Sequence, residues 1–427
     1  MKKILMLLLI SSNIFALTID EAVESAINNN HLLKALKSET KSSQYETEAA
    51  KSLNMPSIFF DTSYTLLDDE KKLTVQMAPG ISTSVTQVKD NYFDANVGVK
   101  YNIYSGGAIS SNINIKRLRE KATNENFLEF KNNLIFQVKK SYVETLKLIA
   151  LKDIAISHYN ALESHYNDIQ KFYAQGLVAQ IDLLQTNVKL KEAKQYLTKI
   201  ESQINVAKSS LSMLIRDNID SKDIEITEIK VFDYDDVTFN LQDLYEKAVN
   251  NRPVIKQLNT EIAALKESKN LIKSDFNPKI YVAAGYSYSN QNDDIEPKGG
   301  FFGKLGLNFD LQWNKPSKEI SAVSEKIIAL NQKRLNTILQ IKLEVKDAFE
   351  NYITARENLK VAKTALKEAE EYFRIVKLKY SNSLASNSDV LDAEAMLTSA
   401  LNNEKNAYYD LIISYYQIEK TIGNNLR

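Results

Sequence analysis

Two long spans of this chain carry no helix breaker, and that absence constrains the fold more than any motif. All six prolines (Pro56, Pro79, Pro253, Pro278, Pro297, Pro316) and nearly all eleven glycines fall at segment ends or in two short regions. The spans left between them run from Ser110 to Gln175, where Gly176 interrupts, and from Ser317 to about Asn382. Proline and glycine are the strongest local breakers, so both spans read as single helices. At about 1.5 Å per residue each would be a rod on the order of 100 Å. A globular domain has no use for a helix of that length. Each rod should turn at a tip and return as a second helix.

The rods are two copies of one pattern. The segment IDEAVESAINNNHLLKAL from Ile19 returns 222 residues later as LQDLYEKAVNNRPVIKQL from Leu241, and Pro56 returns as Pro278 at the same offset. Gly98 returns as Gly306 at 208, while Tyr173, Leu177, Asp182 and Leu184 return as Tyr380, Leu384, Asp389 and Leu391 at 207. Self-similarity at a fixed period marks a repeat architecture. The shrinking offset locates about fourteen extra residues in the first copy between Pro56 and Gly98, rich in Thr, Ser, Lys and Asp, where a surface loop tolerates them.

In the second rod Ile338, Ile341, Val345, Ala348, Tyr352, Ala355, Leu359, Ala362, Leu366, Ala369, Phe373, Val376 and Tyr380 alternate spacings of three and four. That is a heptad seam. It suits packing against the returning helix through Val390, Leu391, Ala395, Leu401 and Tyr408.

Before each rod the period changes to two. From Phe93 to Ile103 the odd positions are Phe93, Ala95, Val97, Val99, Tyr101 and Ile103, and the even ones are Asp94, Asn96, Gly98, Lys100 and Asn102. From Phe301 to Trp313 an apolar set (Phe301, Leu305, Leu307, Phe309, Leu311, Trp313) opposes Lys304, Gly306, Asn308, Asp310 and Gln312. Ile58–Leu66 and Ile280–Tyr288 alternate more weakly. These expectations place strands near 57–67, 92–104, 279–290 and 301–313, paired as hairpins with turns at Pro79–Gly80 and Pro297–Gly300. Short runs of alternating polarity with aromatic ends are the signature of outer-membrane strands. Four strands cannot close a barrel, since single-chain barrels begin at about eight, and an open edge in lipid strands its backbone groups. Several chains must therefore share one barrel, and the polar inward residues favour three copies, whose larger barrel leaves an open lumen.

The first sixteen residues, with Lys2 and Lys3, an apolar run Ile4–Ile10 and Ala16, read as an export signal. With no cysteine there is no disulfide framework and no lipid-modified anchor residue. Balanced charge, with 54 basic and 54 acidic residues, offers no field to hold nucleic acid.

With these features the chain resembles the TolC family of outer membrane factors over essentially its whole mature length. GLVAQID, Gly176–Asp182, is similar to the family's first periplasmic tip, and YSNSLASNSDVLD, Tyr380–Asp392, to the second. The resemblance implies a mixed α and β membrane protein in the cell outer membrane, extending into the periplasm: a trimer with a twelve-strand β-barrel continued by a twelve-helix α-barrel. It divides the chain into a signal peptide (1–16), a first repeat (17–215, helices near 108–175 and 180–215), an equatorial linker (216–240) and a second repeat (241–427, helices near 317–382 and 386–422). It implies an exit duct of a tripartite efflux or type I secretion system, with a periplasmic adaptor, an inner-membrane transporter and outer-membrane lipid as partners. The adaptor-facing tips would be Gly176, Leu177, Val178 and Ala179 with Ser383, Leu384 and Ala385.

The family's selectivity aspartates match Asp389 and Asp392, and a latching tyrosine matches Tyr380, so the three are expected at a pore constriction. Asp389 and Asp392 lie three apart on one helix face and would form carboxylate rings in a trimer. Asp389 near a helix start also reads as a cap. The chain departs from the family at Ser383, where a tip glycine is usual, and at Ala385, where some members carry a latching arginine.

Nothing in the sequence suggests catalysis or a cofactor: it carries no phosphate-binding glycine loop and no nucleophile elbow. His158 and His165 share a helix face but lack a third ligand for a metal. The alternative left open is a non-conducting periplasmic coiled-coil protein of structural or adhesive role.

Overall fold

The computed structural model describes residues 17–216, 225–229, 239–310 and 312–423. The export segment, Leu311 and most of the equatorial linker lie outside them. The described chain falls into two compact units, one built from residues up to Ser38, Glu125–Lys256 and Leu335 onward, the other from Glu39–Asn124 and Gln257–Arg334.

The helical elements are α1 (Ile19–Asn29), α2 (His31–Ser52), α3 (Ala108–Ala174), α4 (Gln180–Arg216), α5 (Leu241–Asn251), α6 (Pro253–Lys273), α7 (Lys315–Ser381) and α8 (Asn387–Thr421). The duplication recurs element by element, and two helix pairs match in length. α1 and α5 are both 11 residues long, and α3 and α7 both 67. Short helices ahead of the strands went unassigned in the sequence pattern. Their signal was present, because Thr18 and Glu21 close a capping box at the start of α1 and Asn240 caps α5. Among the described residues no helix is long and apolar enough to cross a membrane.

The strand-bearing unit holds β1 (Ser57–Leu66), β4 (Asn91–Tyr104), β5 (Lys279–Ser289) and β6 (Gly299–Asn308) in one antiparallel sheet of order β1-β4-β5-β6. The two repeats meet at the β4–β5 pair, where Gly98 faces Gly285. One face exposes Ile58, Phe60, Tyr64, Val97, Val99, Phe301, Leu305 and Leu307. The opposite face carries Ser57, Asp61, Asp94, Asn96, Lys100 and Lys304, as the cross-strand register requires. β1 and β6 each have a partner on one side only.

Three expectations need correction. The extra residues of the first copy are not a plain loop but a second hairpin, β2 (Lys71–Ala78) with β3 (Ile81–Val88), and the Pro79–Gly80 turn belongs to it rather than to the β1–β4 connection. Alternating Leu73, Val75 and Val85 against Thr74, Ser84 and Thr86 is itself a strand pattern, which suffices for a hairpin once a turn is supplied. β6 ends at Asn308, so Phe309, Asp310, Gln312 and Trp313 lie beyond the strand. Gly299 and Gly300 are strand residues, and the connection from β5 is the stretch before them.

The helical unit buries the α7 seam as its spacing demands: Ile341, Val345, Ala348, Tyr352, Ala355, Leu359, Ala369 and Val376 are buried. On α8 the buried partners near the tip are Val390, Leu391 and Ala393, whereas Ala395 is exposed. Val390 and Leu391 thus pack as expected, and Ala395 does not. Arg252, between α5 and α6, ties the unit together by donating to Glu129 (2.7 Å), Glu344 (3.1 Å) and the Thr421 carbonyl (3.4 Å). Burial opposes its charge, but Glu129 and Glu344 outweigh that cost and hold its pKa above the ordinary arginine value.

Candidate functional site

The two helix-turn tips are the same device built twice. α3 ends where Gly176 turns to φ +72°, and α7 ends where Ser383 turns to φ +58°. In the first tip Leu177 N–H donates to the Phe172 carbonyl and Gly176 N–H to the Tyr173 carbonyl, both at 2.9 Å. In the second Leu384 N–H donates to the Lys379 carbonyl (2.8 Å) and Ser383 N–H to that of Tyr380 (2.9 Å). Both are Schellman closures, which satisfy helix-end carbonyls and require a left-handed residue. Glycine reaches that conformation without cost; serine has a Cβ that crowds its own backbone.

The closures push one leucine outward in each copy. Leu177 is 67% exposed and Leu384 76%. Gly176, Ala179 and Ser383 are also exposed, while Val178 and Ala385 occupy equivalent half-buried positions. Ile181, Leu184 and Val188 extend the exposed apolar surface along α4.

Each returning helix opens on an aspartate. Asp182 Oδ2 accepts from Ala179 N–H at 3.3 Å. Asp389 does more: its Oδ2 accepts from Ser386 N–H (2.7 Å) and Ser386 Oγ (2.8 Å), and Ser386 Oγ accepts from Asp389 N–H (3.2 Å), a full capping box. Those Ser386 hydrogen bonds, with the nearby Lys379 charge, hold the Asp389 carboxyl below its ordinary value. The N-cap itself is Ser386, and Asp389 takes part as its capping-box partner in the first turn rather than as the cap. Asp392, three residues on, is exposed and lines an open groove of about 390 Å³ with Ile181, Leu184, Val188 and Leu391.

Asn387, which the sequence pattern did not single out, joins three helices. Only 5% exposed, it donates through Nδ2 to Thr186 Oγ1 (3.2 Å) and the Asp182 carbonyl (3.3 Å) on α4. Its Oδ1 lies 2.7 Å from His165 Nε2 on α3. The His165 ring in turn meets Tyr380 edge-on at 5.8 Å. Burial first, then the charges of Asp182 and Asp168, raise the Tyr380 phenol above its ordinary pKa. Two turns further along, His158 Nδ1 faces Glu394 Oε1 at 3.3 Å and Thr398 Oγ1 at 3.1 Å. The two histidines thus share a face, as their spacing requires, and that face meets α8. A signal existed for these residues: Asn387, Leu391, Glu394, Thr398 and Leu401 keep the three-and-four spacing of a seam, with polar side chains in place of apolar ones.

The model of the outer membrane efflux protein family matches residues 22–215 and 244–424. This chain belongs to that family. As an outer membrane efflux protein it is an efflux channel of the outer membrane with a periplasmic extension, which is the architecture of long helices and a four-strand sheet described above. The family is one of channels rather than enzymes. Solved structures share the fold at low identity. The efflux protein is similar to the outer-membrane channel OprN at 13% identity, with a TM-score of 0.78 over 95% of this chain and 90% of that one. It is similar to CmeC of Campylobacter jejuni at 14% identity, TM-score 0.78, over 95% and 85%. It is also similar to VceC of Vibrio cholerae at 15%, TM-score 0.79, over 96% and 97%. No curated protein matches it.

Proposed function

We propose that three copies of this chain assemble into one duct, each contributing four strands to a shared twelve-strand barrel and four long helices to a periplasmic tunnel. The observation that carries this reading is the sheet β1-β4-β5-β6: it has an apolar face, a polar face and two edge strands. Four strands cannot close by themselves, and open edges in lipid would each leave a row of backbone groups unpaired. Pairing β6 of one copy with β1 of the next removes every edge, and a barrel of about twelve strands leaves a lumen for the polar faces.

The duct receives substrates from an inner-membrane transporter through a periplasmic adaptor, in efflux or in type I secretion. The tips dock the adaptor through Gly176, Leu177, Val178 and Ala179 and through Ser383, Leu384 and Ala385; exposure of Leu177 and Leu384 on hydrogen-bonded closures supports this. Asp389, Asp392 and Tyr380 form the constriction. Asp392 is the freer carboxylate, because Asp389 is engaged by Ser386. Rings of carboxylates at a narrow neck favour cations.

Single-channel recording in planar bilayers, with the oligomeric mass measured in the same detergent, tests the reading. A trimer with small cation-selective openings is expected, with larger conductance in the Asp389→Asn/Asp392→Asn double variant. A monomer or dimer that never conducts would sink it. Replacing Leu177 and Leu384 by aspartate should abolish export while leaving trimers intact, and undiminished export would remove the docking assignment.

A further inference from the structure

The polar face of the sheet carries its charges in separate rows. The register runs Ser57–Lys100–Ala283–Lys304 across β1, β4, β5 and β6. Lys100 and Lys304 are thus two strands apart on one row, with backbones roughly 10 Å from each other. Ala283 stands between them on β5, and Tyr281, in the next row of the same face, is paired with Gly306. Its ring occupies the space above that glycine, where an added Cβ would collide with the ring Cζ. The Lys100 ammonium lies 4.5 Å from the ring centre and that of Lys304 6.0 Å.

Two ammonium groups converging on one neutral ring repel each other, and a protein that needed only stability would place a carboxylate between them. None is there. Among the described residues neither lysine forms an ion pair, while Lys279 on the same face is taken by Asp275 at 3.4 Å. The carboxylates of the polar face within the strands, Asp61 and Asp94, lie toward the other strand ends, Asp61 opposite Asn96 and Asp94 opposite Ser63. Four residues separate Lys100 from Asn96, roughly 13 Å along the strand.

We propose that Lys100, Lys304 and the Tyr281 ring that both approach bind the oxyanion group of organic-anion cargo, a carboxylate, sulfonate or phosphate, as it passes through the barrel. The proposal rests on the duct reading, which turns this face toward the lumen. Three copies then line one level of the barrel with six ammonium groups, a sign opposite to that of the tip carboxylates. Tyr281 fixes where the two lysine ends sit, and Gly306 fixes where the ring sits. Rings of basic side chains select anions in pores, and ammonium–oxyanion hydrogen bonds are about twice as strong as neutral ones.

The test uses a pyrene trisulfonate dye with the full-length protein. In planar bilayers the dye should block wild-type current, and Lys100→Gln/Lys304→Gln should weaken that block about tenfold or more, the loss expected when charge-assisted contacts go. Lys279→Gln should block as the wild type does. Equal block of wild type and double variant would overturn the proposal while leaving the duct intact. Fluorescence anisotropy of the dye with detergent-solubilised protein decides the same question without a conducting channel. There too about a tenfold weaker affinity in the double variant supports the site, and unchanged affinity overturns it.

Discussion

The two tips share a hydrogen-bond scaffold and differ in how firmly it is fixed. In the first, the turn residue is Gly176, the cap is one 3.3 Å contact to Asp182, and Gln180, the counterpart of Asn387, is exposed. In the second, the turn residue is Ser383, the cap is the Ser386–Asp389 box, and Asn387 is buried against α3 and α4. Duplication supplied the geometry twice. Substitution then left one copy loosely held and tied the other to its neighbours. A buried polar residue in a helix seam specifies one register at some cost in stability, and here it selects which turns of α3, α4 and α8 meet.

Asn387→Ala should separate the tips most. It removes the hydrogen-bond partner of His165 Nε2 and one of the two of Thr186, whose Oγ1 still donates to the Asp182 carbonyl at 2.8 Å; losing a buried polar partner costs about 1–3 kcal/mol, whereas Gln180→Ala should cost almost nothing. Amide exchange at the start of α8 and of α4 reads the two losses side by side, and equal protection in both variants would refute the contrast.

Exchanging the turn residues has a smaller effect. Ser383→Gly should slow exchange across the second turn by relieving about 1 kcal/mol of left-handed strain, and Gly176→Ser should hasten it in the first by a similar amount. The same sign at both sites would mean that the two turns are not equivalent.

Acidification is the gentlest probe. The folded Asp389 carboxyl titrates below its ordinary value of 3.8. The unfolded segment therefore takes up its proton first, the contribution is complete above that value, and it is lost as pH falls through the lower folded one. Protection at the start of α8 should fade in that range in the wild type and be flat in Asp389→Asn. A matching fade in the variant would assign the effect to another group.

Much of this was legible in advance. Proline and glycine placement gave the rods because helix breakers act locally, and the heptad spacing gave their buried stripe because 3.6-residue periodicity turns sequence into a face. Alternation gave the sheet's two faces for the same reason, at a period of two. The β2–β3 hairpin was missed, its segment reading as a loop, since polar Thr and Ser alternate with few large apolar residues there. Asp389 was read as both cap and constriction, and only its part in the capping box is visible within one chain.

The sequence by itself determined the duplication, the long helices, the four strands of the sheet apart from the end of β6, and the residues of the tips, since each follows from local pattern and spacing. Only the tertiary structure decided that β4 and β5 join the two repeats and that Asn387 meets His165 and Thr186. It alone decided that Lys100 and Lys304 converge on Tyr281. Those contacts link residues far apart in the chain, and their register depends on how whole elements pack, which no local spacing encodes.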